Sequence, residues 1–198
     1  MERILSLPLD EKTVRGLKLG DIVYLKGVFF TARDDAHMRA LSYARAGKEL
    51  PFDLRGSAIY HCGPIMKKEG ERWQVVAAGP TTSKRMNSLT KEFIERFGVR
   101  AIIGKGGMAG EAIEAMKRFG CVYLAFTGGA AVLAAKGIKE VKGVEWYDLG
   151  MPEALWVLEG EKFGPLTVAI DSEGNSLYSE VVREVEKNIP KAKKILNI

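Results

Sequence analysis

Hydroxyl, glycine and cationic side chains gather in three short stretches of this 198-residue sequence: TARDDAH (31–37), GPTTSKRM (79–86) and GKGGM (104–108). TGG (127–129) is a further glycine-bearing loop. Each type has its own chemistry. Arg33 and Arg85 present planar forks that match a carboxylate bidentately, and Lys105 offers a point charge. Gly106 and Gly107 let the backbone approach a ligand closely. Thr81, Thr82 and Ser83 supply three hydroxyls in a row, more than one helix cap needs. His37 falls one turn after Arg33 on the same helical face. A small dianion is the ligand such an inventory suits.

Each stretch also has a plainer reading. One of the hydroxyls caps a helix and Arg85 is a surface arginine. GKGG is a tight turn with an exposed lysine. Thr31 or Asp34 caps the helix that follows, and Arg33 pairs with an acid. Other chemistries fit less well. Gly104 and Gly106 form a GxG pair, but position 109 is alanine and Gly110 comes one residue late for a dinucleotide fingerprint. Lys105 precedes its loop and no Ser or Thr follows, which excludes a Walker-type phosphate loop. The soft ligands His37, His61, Cys62 and Cys121 have no metal spacing, so no metal is expected on this chain.

The elements that must carry these residues read as α/β. Strand-like segments at 22–27 and 57–63 flank a helix over 34–46 that stops at Gly47. From residue 73 the pattern becomes strand, loop, helix, three times over. Strands at 73–79, 100–104 and 121–126 lead through the three loops into helices at 87–97, 108–119 and 130–136. Further strands are expected near 144–148, 155–159 and 166–170, and a last helix over 176–188 ends before Pro190. Short apolar strands alternating with amphipathic helices predict a mostly parallel central sheet flanked by helices. In such a sheet the strand ends and helix N-termini lie on one edge, where anions are favoured.

Bulk properties bound the rest. Hydrophobic residues make up 46% and charged residues 28%, which suits one domain over 1–198. The net charge is +5, and the densest basic run, KAKK (191–194), has no aromatic neighbours. It reads as a solvated helix tail rather than a nucleic-acid surface. Two unpatterned cysteines, no run of membrane-spanning length and no signal-like N-terminus predict a cytoplasmic protein without nucleic-acid or membrane partners.

TARDDAH, GPTTSKRM and GKGGM, followed by TGGAA and by IDSEGNSLY (170–178), together resemble the β subunit or C-terminal domain of class I fumarases and L-tartrate dehydratases. The similarity runs in order across nearly the whole chain. It implies a swivelling β/β/α domain and a larger α subunit that carries a 4Fe–4S cluster, in an α2β2-like assembly. On these positions it implies Arg33 and Arg85 as substrate-carboxylate arginines, Thr81 as the hydroxyl of proton abstraction and Lys105 as a further active-site cation. His37, Thr82, Gly106 and Gly107 fall in supporting positions. The implied reaction is reversible hydration of fumarate to L-malate, with tartrate dehydration as the alternative. A stand-alone carboxylate-binding module without turnover is the reading of another class.

Overall fold

The computed structural model describes residues 3–197. Four strands run parallel: β2 (Ile22–Thr31), β3 (Ala58–Tyr60), β6 (Ala101–Gly104) and β7 (Val122–Ala125), with β1 (Arg3–Ser6) parallel to β2 at the edge. The chain returns in β8 (Ile138–Glu145) and β9 (Leu155–Ile170), both antiparallel additions. The seven strands form one sheet in the order β1-β2-β3-β6-β7-β9-β8. Because β9 pairs with β7 through its last residues and with β2 along most of its length, the hydrogen-bonded pairs close into a ring.

Strand alternation divides the core in two. Inside the ring lie Val23, Leu25, Ala58, Tyr60, Ile103, Leu124, Trp156 and Phe163. Outside it, Ile59, Ile102 and Tyr123 meet the helices α2 (Asp34–Arg45), α3 (Asn87–Phe97) and α4 (Glu111–Phe119), through side chains such as Leu41, Phe93 and Met116. The helices end where glycine can adopt a left-handed backbone: Gly98 at φ 63° after α3 and Gly120 at φ 68° after α4. Two short helices, α1 (Glu11–Arg15) and α5 (Ala131–Lys136), complete the body, and α6 (Leu177–Leu196) follows β9.

Four expectations are corrected. Residues 73–79 do not enter the sheet. They form β5 (Arg72–Ala77), which pairs only with β4 (Ile65–Glu69) in a two-stranded hairpin. Gly70, at φ 60°, makes the turn between them, and the alternation of exposed and half-buried residues along β5 is that of a strand with one wet face. The expected strands at 155–159 and 166–170 are one strand, interrupted in sequence by Gly160, Gly164 and Pro165. Its pairing with β2 shifts register around these residues, and such an irregularity is where a proline without an N–H is tolerated in a strand. The strand expected at 144–148 lies earlier, in β8, and Tyr147–Leu149 is a helical turn. Finally, α6 continues through Pro190 to Leu196. A proline inside a helix costs a hydrogen bond but does not forbid the next turn, and KAKKIL favours continuing. No described helix is long and apolar enough to cross a membrane.

Candidate functional site

The parallel strands deliver three segments to one edge. β2 ends at Thr31 and leads to Arg33, β3 ends at Tyr60 and leads to His61, and β6 ends at Gly104 and leads to Lys105. GPTTSKRM arrives from the hairpin rather than from a sheet strand, yet it is pinned at the same edge. Tyr60 donates its hydroxyl to the carbonyl of Ala78 at 2.5 Å, and Pro80 bridges to Cys62. Thr81 N–H donates to the His61 carbonyl at 2.6 Å, Lys105 N–H to the Thr81 carbonyl at 3.2 Å, and Ser83 N–H to the Lys105 carbonyl at 2.9 Å. Thr81 and Lys105 are therefore locked together by backbone, with Thr82 bridged in parallel to Lys105.

Below that ladder lies a buried polar chain. The Tyr123 hydroxyl donates to Ser83 Oγ at 3.0 Å, and Ser83 Oγ faces Nδ1 of His61 at 2.8 Å. The His61 ring stands edge-on to that of His37, with centroids 5.2 Å apart, and His37 Nδ1–H donates to the Arg33 carbonyl at 2.8 Å. Burial holds His37 well below the ordinary imidazole range, at about 4, against the opposing pull of its bond to Arg33 and of Asp34. Burial does the same to His61, with the His37 ring as a second cause. Both rings are neutral at pH 7, so they are structural spacers rather than cations of the site. Burial likewise raises the Tyr123 phenol above its usual range.

The two arginines are tied into the same corner. Arg33 Nε lies 3.0 Å from Glu153 Oε1, a close ion pair in which that nitrogen makes no well-aligned hydrogen bond. The other oxygen of Glu153 accepts from Asp35 N–H at 3.1 Å, so one carboxylate holds both the arginine and the first turn of α2. Arg85 donates to Asp34 at 2.7 Å. Arg33 and Arg85 are thus linked through consecutive residues, 33 and 34. Neither Thr31 nor Asp34 caps α2: Thr31 accepts from Trp156 N–H at 3.1 Å, deep in the core. The hydroxyls at 81–83 cap nothing either. Ser83 is spent on the buried chain, and Thr81 Oγ1 has no hydrogen-bond partner among the described residues.

The glycines are required by close approach. A Cβ on Gly104 would fall 2.0 Å from Ser83 Oγ, and one on Gly107, at φ +71°, would fall 2.6 Å from the Tyr178 ring. Lys105 is exposed and extends alongside Gly128 of the TGG loop. Among the described residues, no carboxylate lies within ion-pairing distance of Lys105. A groove of about 590 Å³ shares Gly106 and Gly107 with this corner and runs between Lys84 and Tyr178.

Arg33, His37, Thr81, Thr82, Arg85, Lys105, Gly106 and Gly107 lie at this edge or directly beneath it. The sequence offers His61 only as a soft ligand without metal spacing, and it passes over Ser83 as a buried acceptor, Tyr123 and Glu153. His61 carried a signal, since it sits just after a strand and before Gly63-Pro64; Glu153, 120 residues from Arg33, carried none.

No three His, Cys, Asp or Glu side chains among the described residues are grouped to hold a metal ion. The two cysteines do not suit a cluster. Cys62 lies inside the ring and Cys121 on its outer face, and burial pushes both thiols up, Cys121 to about 12.

A model of the family described as Fumarase C-terminus matches residues 3–181. The chain belongs to this family. It is 50% identical to a protein of Methanocaldococcus jannaschii provisionally named L(+)-tartrate dehydratase subunit beta, over 91% of this chain and 93% of that one. It is 44% identical to the L(+)-tartrate dehydratase subunit beta of Escherichia coli (strain K12), over 91% and 88%. A Geobacillus stearothermophilus protein provisionally named fumarate hydratase class I is 42% identical over 89% of this chain, but the match occupies only 34% of that longer protein.

Proposed function

We propose that this family member is the smaller subunit of a hydro-lyase that reversibly hydrates fumarate to L-malate, with an active site shared with a larger subunit. The observation that carries this reading is the corner itself, where Thr81 and Lys105 share a backbone ladder and Arg33 and Arg85 meet through Arg33-Asp34. The names of the relatives support it: two are subunits by name, and the third is a longer chain in which the matching region is a minor part.

The chemistry divides among these residues. Arg33 and Arg85 orient a dicarboxylate through guanidinium edges left over from Glu153 and Asp34. Lys105, unpaired and exposed, stabilises the negative charge that develops on the substrate when a carbon proton is lost. Thr81 Oγ1, free of partners, is the atom that carries the proton between substrate carbon and protein. A threonine hydroxyl needs an adjacent base, and among the described residues no carboxylate bonds to it. That base, and the 4Fe–4S cluster that this chain's cysteines do not suit, belong in this reading to the larger, α subunit, in an α2β2-like cytoplasmic assembly.

The test is anaerobic fumarate hydration by this chain alone, by the chain with its reconstituted partner, and by the pair carrying Thr81→Ala or Arg85→Ala. Activity in the wild-type pair alone is expected, with a loss of about 100-fold or more in kcat for Thr81→Ala. Full activity in either variant removes that residue from the site. The names of the 50% and 44% identical relatives favour tartrate as a second reading. A higher kcat/KM for tartrate dehydration than for fumarate hydration would establish it.

A further inference from the structure

The last helix is not explained by the candidate site. α6 runs twenty residues from Leu177 to Leu196, and none of its described residues is buried. At 1.5 Å per residue it is about 30 Å long. Its composition is not that of a solvated helix. Tyr178, Val182, Val185, Ile189, Ala192 and Leu196 follow one another at spacings of four, three, four, three and four. That is an uninterrupted heptad seam. Val182, Val185, Ile189 and Leu196 are 54%, 54%, 43% and 65% exposed, and Val181 and Ile195 widen the stripe. The family match ends at residue 181, so most of the seam lies beyond it.

The distribution of charge along the helix says what covers the seam. Residues 177–186 carry Glu180, Glu184 and Glu186 against a single Arg183. Residues 187–196 carry Lys187, Lys191, Lys193 and Lys194 and no acid. Beside the seam, Glu186 and Lys193 occupy the same heptad position one repeat apart. Two such helices side by side in the same direction place acid on acid and base on base. Turned head to tail, they place each acidic half on a basic half, with Glu186 of each copy near Lys193 of the other. That arrangement is self-complementary about a twofold axis. Pro190 falls on the side of the helix away from the seam, where its ring and missing N–H leave the contact untouched.

We propose that α6 is a dimerisation helix that pairs antiparallel with α6 of a second copy of this chain. Burying the stripe supplies the driving force, and the charge halves set direction.

Sedimentation velocity on the full chain over a wide concentration range tests this. A monomer–dimer equilibrium is expected for the wild type. Val185→Glu combined with Ile189→Glu should be monomeric at every concentration, with an unchanged circular dichroism spectrum. Lys193→Glu should weaken the dimer by about tenfold, and adding Glu186→Lys should restore it. A monomeric wild type overturns the proposal, and protection of α6 only on adding the larger subunit would assign the seam to that partner. A dimer indifferent to the Val185/Ile189 variant overturns it too, and failure of the charge exchange to restore pairing overturns the antiparallel arrangement.

Discussion

Ser83 Oγ lies 2.8 Å from His61 Nδ1 and 3.0 Å from the Tyr123 hydroxyl, so one buried side chain joins the loop of Thr81 to β3 and β7. Ser83→Ala leaves a His61 imidazole nitrogen without its partner in the core and strips one partner from the Tyr123 phenol. The expected cost is about 1–3 kcal/mol, read as a lower urea midpoint with an unchanged slope. The bond from residue 83 N–H to the Lys105 carbonyl is made by backbone and survives the substitution, so turnover in the complex should change less than stability.

Gly107 is the second position with no tolerance. Gly107→Ala must accommodate a Cβ 2.6 Å from the Tyr178 ring at a left-handed φ of +71°. The backbone strain alone costs about 1–2 kcal/mol. A lower Tm is expected, together with looser attachment of the α6 root, seen as faster hydrogen exchange near Tyr178. Gly47, also at a positive φ (+66°) but with open space around its Cβ position, is the control and should lose less.

Stability should depend on pH through His37. Its folded pKa, about 4, is below the ordinary value near 6.5, so the unfolded chain binds the proton more readily. The contribution is complete above pH 6.5 and is lost as pH falls from there to about 4, amounting to roughly 3 kcal/mol at one unit per 1.36 kcal/mol. His61 acts in the same direction. Thermal unfolding between pH 7 and 4 should show the decline, and His37→Asn should flatten it. An equal decline in the variant would remove His37 as its source.

Glu153 makes two contacts that substitutions can separate. Glu153→Gln keeps an acceptor for Asp35 N–H and removes the charge beside Arg33; Glu153→Ala removes both. The alanine variant should lose about 1–2 kcal/mol and the glutamine variant less. In the complex, both should raise KM more than they lower kcat, because Arg33 loses its orientation and not its charge. Arg33→Lys should raise KM about tenfold or more, since a point charge does not replace the fork.

How much of this was legible depended on whether a signal was local. The α2, α3 and α4 segments and the strands around 101–104 and 122–125 follow from apolar spacing and terminal glycines, and they lie where the sequence places them. The cluster of Arg33, Thr81, Arg85 and Lys105 was legible because each sits where an element begins or ends. β5 was misplaced because WQVVAA has the composition of a buried strand, and only its pairing with β4 reveals the hairpin. β9 was split because glycine and proline break local patterns, whereas its continuity comes from β2, more than 120 residues away in the chain. The His61–Ser83–Tyr123 chain and Glu153 rest on contacts between distant segments, which no spacing rule encodes.

The pairing of β9 with β2 also fixes the order in which the chain can mature during its own synthesis. β2 precedes the strand that covers its open edge, Leu155–Ile170, by more than 120 residues, and the other strands of the ring are made in between. Until then β2 and β7 both present unpaired backbone, and the apolar side chains destined for the interior of the ring face an open trough. Such edges invite other chains. The polypeptide therefore passes through a half-built cylinder between the making of β7 and the making of β9, and shielding by chaperones matters most in that interval.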